Sequence, residues 1–476
     1  MVPNQKPHRK QAKAFPLPFE SNVNDDYKAK FKTAAQAVLQ IRSGDGVYLH
    51  SNASVPRTLV DAMTARRAEL KDVRIYQLIT LGAAPYAEPE CAGSFYVHSL
   101  FVGPNVRTAV NEGRADYTPV FFSELPRLFR EGQLKVDVCL LQVCPPDENG
   151  DMSYGLAMDC TPAAQQNARL IIAEVNDQMP RTFGSSKINV RDVDGLVEAS
   201  YPPPERQSNE PGPIEIEIGK QVASLVEDGA TIQLGIGDIP NGVLKALKNK
   251  QRLGVHSEMV SDGIVELVES GVITNEHKTV VPGKIAVSFM FGTSKLYNFV
   301  DNNSTFEFHP SDFINDPLII SQNYKMTSIN SALQVDLTGQ VCADSIGTNI
   351  YSGCGGQVDF IRGASRCAGG KAIIALPSTA KKGTVSRICS LLSPGAGVVT
   401  SRFDVHYVVT EYGVAHLHGQ NMKERVRRLI EIAHPDFRAQ LEEEAHCFKW
   451  LGKKSSAAGI YPEKELGENP ETARCQ

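Results

Sequence analysis

The sequence predicts an α/β protein built as a tandem pair of related open α/β domains. Three observations carry this reading: strand-like and helix-like segments alternate throughout, several segments recur in the same order in both halves, and a proline-rich stretch separates the halves. In the first half, residues 73–79 and 137–143 are β-rich apolar runs that read as strands, and 121–129 reads as a helix. In the second, 231–235 and 253–256 read as strands and 243–247 and 264–269 as helices. The last of these sets Ile264, Leu267 and Val268 on one face.

The recurrence begins with Asp45-Gly-Val-Tyr-Leu-His-Ser-Asn-Ala-Ser-Val-Pro56, which matches Asp228-Gly-Ala-Thr-Ile-Gln-Leu-Gly-Ile-Gly-Asp-Ile-Pro240 with one inserted residue. Each reads as a turn, a short strand, a loop and a helix opened by its proline. Further on, Asp147-Glu-Asn-Gly150 and Asp336-Leu-Thr-Gly339 are equivalent D-x-x-G turns. The continuous apolar runs 170–175 and 371–376 follow, of the kind buried in parallel sheets. Between the halves, 201–213 holds five prolines in thirteen residues, a density that neither a helix nor a central strand tolerates. The organisation expected is a basic arm over 1–24, a first domain over 25–200, a linker over 201–213, a second domain over 214–450 and a flexible tail over 451–476.

Composition narrows the function. A chain of 476 residues is too long for one ordinary core, in agreement with two domains. Its 49 basic and 54 acidic residues leave a net charge of −5, which argues against nucleic acid or a membrane surface as partner and for small molecules. No apolar stretch approaches the roughly 20 residues that span a bilayer. The ten cysteines show no C-x-x-C pair and no zinc-type spacing, which fits reduced thiols in a cytoplasmic compartment. Lys6, Arg9, Lys10 and Lys13 leave a mitochondrial presequence as the alternative to a plain basic arm.

Ligands of open α/β sheets bind at the carboxyl ends of strands, so chemistry is sought in the strand-end loops. Gln233-Leu-Gly-Ile-Gly-Asp-Ile-Pro240 is such a loop. Gly235 and Gly237 would admit a ligand close to the backbone, although Pro240 stands where a dinucleotide fingerprint needs its third glycine. A tight structural turn and a binding loop both fit. Gly353-Cys-Gly-Gly-Gln-Val-Asp-Phe360 has no counterpart in the first half, which makes it the better functional candidate, with a plain crossing of two loops as the alternative. Glu258 falls after the strand 253–256, its carboxylate at the mouth of the sheet, where either a solvated or a reactive group can sit. His416 and His418 lack a third metal ligand, Ser51 and Ser257 lack a G-x-S-x-G context, and 442–444 reads as a solvated helix face.

From about residue 25 to 450 the chain resembles the acetyl-CoA hydrolase/transferase family. The resemblance rests on Leu234-Gly-Ile-Gly-Asp-Ile-Pro-Asn-Gly-Val, His256-Ser-Glu-Met-Val-Ser-Asp-Gly, Ile329-Asn-Ser-Ala-Leu-Gln-Val-Asp-Leu-Thr-Gly-Gln-Val and Thr410-Glu-Tyr-Gly-Val-Ala. It implies an active site between the two domains, with Glu258 as the nucleophile that forms a glutamyl-CoA thioester. It further implies Asn315 and the backbone amide of Gly356 as oxyanion donors. CoA is expected along the second domain beside Gln233, Leu234, Gly235, Ile236, Gly237, Gly355 and Gly356, with Leu333 and Lys381 flanking its pantetheine and phosphates.

The resemblance implies transfer of CoA from an acyl-CoA to a small carboxylate such as acetate, succinate, butyrate or 4-hydroxybutyrate. CoA acts as substrate, with no permanently bound cofactor and no metal. Hydrolysis of acyl-CoA on the same glutamate is the alternative, and non-catalytic CoA binding a minor one. A homodimer is expected, and the loops around Ser51, Gln77 and Tyr117 are the candidates to face the acyl group.

Overall fold

A computed structural model describes residues 25–207 and 209–452, so the expected basic arm and most of the expected tail lie outside the described residues. The first half forms a seven-stranded parallel sheet from β1 (Gly46–Leu49), β2 (Val73–Gln77), β3 (Phe95–Ser99), β4 (Ala115–Tyr117), β5 (Val138–Val143), β6 (Leu170–Asn176) and β7 (Gly195–Ala199), in the order β4-β3-β2-β1-β5-β6-β7. The second half follows with β8 (Thr231–Leu234), β9 (Gly254–Val260), β10 (Ile285–Met290), β11 (Phe306–Phe308), β12 (Thr327–Ser331), β13 (Lys371–Ala375), β14 (Tyr407–Thr410) and β15 (Gly413–His416). Their order is β11-β10-β9-β8-β12-β13-β14-β15, and only the terminal β15 is antiparallel.

The two halves therefore wind identically, and the duplication read from three sequence repeats extends over seven strands. The D-x-x-G turns agree atom for atom. Gly150 donates its N–H to the carbonyl of Asp147 at 2.9 Å, as Gly339 does to Asp336 at 2.9 Å. The carboxylate of each aspartate also accepts the amides two and four residues on.

Several boundaries differ from expectation. Glu258 lies inside β9, not after it, because the strand continues to Val260 on its ladder with β10. The helix expected from residue 121 begins at Leu125, preceded by a tight turn over Phe122–Glu124. Pro240 is the third residue of the helix Asp238–Ala246, not its first. Pro213 opens the helix Pro213–Leu225 and is not part of the linker; it suits a first turn whose N–H has no intrahelical partner.

Those two helices touch at their backbones, which explains a glycine in the 234–243 motif. A Cβ on Gly219 would lie 2.4 Å from the Gly242 carbonyl oxygen, and one on Gly242 2.3 Å from that of Glu215. Neither backbone can yield without moving a helix. Gly219→Ala should cost about 2–3 kcal/mol, a fall in Tm of roughly 2–3 °C for a chain of this length, measurable by differential scanning fluorimetry.

Apolar packing forms three clusters: one on the outer side of each sheet, and a large one between the sheets to which both halves contribute. Phe122 meets Phe289 with ring centroids 6.0 Å apart across this joint. Main-chain bonds cross it too: Met158 N–H to the Ser288 carbonyl, Met290 N–H to that of Leu156, and Ser311 N–H to that of Asp159. The carboxyl ends of the β8 side of the second sheet thus face the first domain.

Candidate active site

In both sheets the winding reverses beside the first strand of the half, between β1 and β5 and between β8 and β12. Such a reversal leaves a crevice at the strand ends. In the second half, Gln233 braces it. The Oε1 of Gln233 on β8 accepts the Ser328 hydroxyl at 2.9 Å, the Ile329 N–H at 3.2 Å and the Asn330 amide at 3.0 Å, all from β12. Next to this brace β8 ends and β9 runs on, so the second half of β9 projects beyond its neighbour.

The projecting stretch carries the H-S-E segment. Side chains of a strand alternate, so His256 and Glu258 share a face. They reach consecutive residues. His256 Nε2 lies 2.8 Å from the carbonyl of Ile314, and Asn315 donates its side-chain amide to Oε2 of Glu258 at 2.8 Å. Burial pushes His256 down to about 3, so the ring is neutral and donates from Nε2. Ser257, on the other face, donates to the carbonyls of Leu234 and Met259 and fixes the strand there.

The second glycine-rich segment approaches from the far side. Its loop ends at Gly356, and Gln357 opens the helix Gln357–Arg366. The Gly356 N–H hydrogen-bonds the Glu258 carboxylate. A side chain at this position is impossible without displacement: a Cβ would sit 2.1 Å from Oε2 of Glu258 and 2.3 Å from Nδ2 of Asn315. Gly355 has φ +51°, the left-handed region where glycine is at ease.

Glu258 is partly accessible from the cleft but surrounded by protein, and desolvation pushes its carboxyl up to about 8. The bonds from Asn315 and Gly356 pull the other way, and the charges of Asp359 and Asp159 push further up. A carboxyl so raised binds its proton more tightly folded than unfolded. The stability it contributes is present below the ordinary 4.5 and is lost as pH rises through about 8. Glu258→Gln, which cannot ionise, should therefore gain Tm relative to the parent across that window, by a few degrees above pH 8. Melting curves of both proteins between pH 5 and 9 check this, and a constant difference would contradict it.

The cleft above Glu258 has a volume of about 280 Å³. Gln233, Gly235, Ile236, Gly355 and Gly356, five of the residues expected beside CoA, line it; Asn315 meets it through Glu258. Leu234 instead borders a small apolar void behind β9. Gly237 precedes the helix Asp238–Ala246 at φ +119°. Leu333 lies between β12 and a short strand, its N–H on the Cys342 carbonyl, and Lys381 sits in the exposed turn of a hairpin. None of these four borders the cleft.

The first domain closes the cleft with residues adjacent to those expected. Ser51 is sealed against Asp159, Gln77 is bonded by the Tyr86 hydroxyl, and Tyr117 lies beside Gly353; none of the three lines the cleft. Asn52, Leu78, Ile79 and Phe101 do, because side chains at the strand ends are tied into the domain while the loops beyond them face the joint. Asn330 and Asp359 also escape the sequence reading. Asp359 is visible in the glycine-rich segment, but its partner Ser123 stands 236 residues away.

A family model for the acetyl-CoA hydrolase/transferase N-terminal domain matches residues 18–201, and one for the C-terminal domain of the same family matches 292–445. The chain belongs to the acetyl-CoA hydrolase/transferase family. Glu258 falls between the two matched stretches, but full-length relatives span it. The chain is 53% identical to 4-hydroxybutyrate coenzyme A transferase of Clostridium kluyveri, over 88% of this chain and 97% of that one. It is 46% identical to succinyl-CoA:acetate/propanoyl-CoA:succinate CoA transferase of Fasciola hepatica, over 85% of each. Among solved structures, RipA from Yersinia pestis superposes with a TM-score of 0.85 at 36% identity, over 89% of this chain and 98% of that one. Both halves of the acetyl-CoA hydrolase/transferase architecture are thus present, in tandem and in the family's order.

Proposed function

We propose that the protein moves CoA from an acyl-CoA to a small carboxylate through a thioester on Glu258. The observation that carries this reading is one carboxylate, raised to about 8, with two fixed donors on it at the end of a cleft. Raised basicity makes a carboxylate a better nucleophile, and donors fixed on the glutamyl group suit the oxyanion formed whenever its own carbonyl is attacked.

An oxygen of Glu258 attacks the thioester carbonyl, and collapse of the tetrahedral adduct expels CoA thiolate and leaves a mixed anhydride. The thiolate then attacks the glutamyl carbonyl, which releases the first carboxylate and leaves glutamyl-CoA. The incoming carboxylate attacks that thioester, expels CoA thiolate and forms a new anhydride. Attack of the thiolate on its acyl carbonyl gives the new acyl-CoA and restores Glu258. Every covalent intermediate conserves the acyl-transfer potential of the original thioester, so no other energy source enters. Asn315 and Gly356 face the glutamyl oxygen in the two steps that attack the glutamyl carbonyl, by CoA thiolate and by the incoming carboxylate, and His256 holds the Ile314–Asn315 backbone in place.

Acyl-CoAs and carboxylates such as acetate, succinate, butyrate and 4-hydroxybutyrate are the substrates this reading assigns. Leu78, Ile79, Phe101, Phe122, Phe289 and Phe291 give the cleft an apolar wall, which favours transfer over attack by water. The test is incubation with acetyl-CoA, with and without added carboxylate, with intact mass measured alongside. Acceptor-dependent turnover and a mass gain of CoA less one water support transfer. Acceptor-independent release of CoA supports hydrolysis instead.

A further inference from the structure

Asp359 is buried, 3% exposed, in the first turn of the helix Gln357–Arg366, and the scheme above does not use it. Its two oxygens accept the N–H of Ser123 at 3.0 Å and the Ser123 hydroxyl at 2.9 Å. Ser123 belongs to the turn Phe122–Glu124 of the first domain, so this pair crosses the joint. On its other side Asp359 is reached by Asn315, whose amide also bonds Glu258. Gly356, the second donor to Glu258, caps the helix three residues earlier. One carboxylate therefore touches the first domain, a donor to the nucleophile and the helix that presents the other donor.

The electrostatics of this arrangement have a direction. A helix N-terminus and two hydrogen bonds stabilise an anion, and alone they would leave Glu258 a well-satisfied, weak nucleophile. A second buried negative charge opposes that stabilisation. We propose that Asp359 is a positioning residue of the transfer reaction: held by Ser123 across the joint, it sets Asn315 and the glycine-loop helix against Glu258 and counters their pull on its charge. The assignment rests on the glutamyl reading above.

The other ionisable groups around the pair are few. Asp159 faces Glu258 from the first domain, fixed by Ser51 and Asn52. The thiol of Cys354, pushed up to about 12 by burial and these carboxylates, carries no charge. Glu124 faces Asp359, which burial pushes up to about 7. None of them bonds Asn315 or Gly356 among the described residues, so Asp359 alone connects charge to both donors.

The test compares the full-length protein with Asp359→Asn and Ser123→Ala, following the rate of CoA adduct formation on Glu258 and the pH dependence of kcat/KM. Asp359→Asn should move the acid limb down by about one pH unit, as loss of a like charge requires, and slow adduct formation about tenfold above that limb. Ser123→Ala, which weakens the ionised form of Asp359, should move the limb the same way by a smaller step. An unmoved limb and a parental adduct rate in both variants would overturn the assignment. Should Asp359→Asn not fold, Ser123→Ala decides alone by the same limb. A parent protein that forms no adduct would instead sink the glutamyl reading, and this assignment with it.

Discussion

Glu258→Ala should lose CoA transfer by about 10⁴-fold or more and form no CoA adduct, as removal of a covalent nucleophile does. Among the described residues no other carboxylate lines the cleft. Asp359 is occupied by Ser123, and Asp159 by Ser51 and Asn52 on the far side of the joint. Glu258→Asp should also fail, since one methylene fewer withdraws the carboxylate from the Asn315 amide now 2.8 Å away. Turnover of Glu258→Ala within tenfold of the parent would remove the nucleophile from the scheme.

Gly356→Ala should be nearly as damaging, with kcat reduced by about 10²–10³, the range for loss of one oxyanion donor. The added methyl would stand 2.1 Å from Glu258 and 2.3 Å from Asn315. Asn315 is fully buried and cannot retreat, so the carboxylate must give way and the bond to the Gly356 N–H goes with it. Gly235→Ala is the control. A Cβ there meets nothing within 4 Å, so the fold should be kept and any effect should fall on KM for the acyl-CoA rather than on kcat. Steady-state kinetics on the two variants separate a glycine needed for closeness to the reacting group from one needed for room.

Much of the fold was legible because repeats survive where turns dictate residues. Asp147 and Asp336 could be paired across the halves since each makes the same three main-chain bonds, and those bonds accept little else than aspartate. Glu258 lies at the mouth of the sheet on a strand longer than the sequence suggests, because His-Ser-Glu-Met carries little strand propensity. The ladder with β10 overrides that preference. Ser51 and Gln77 illustrate the opposite failure. Periodicity does not say which residue at a strand end turns inward, and the cleft is bordered by their neighbours Asn52 and Leu78. Asp359 shows the remaining limit, since its meaning depends on a serine in the other domain.

The apolar cluster between the sheets draws residues from β1 and from β14 alike, in one continuous contact network. Neither half can expose its side of that network to water without losing a layer of its own interior. Melting should therefore be a single calorimetric event despite two architectural repeats, and a backbone cut between the halves should leave them associated and turning over. Turnover would then report on whether two pieces of chain are still one cooperative body.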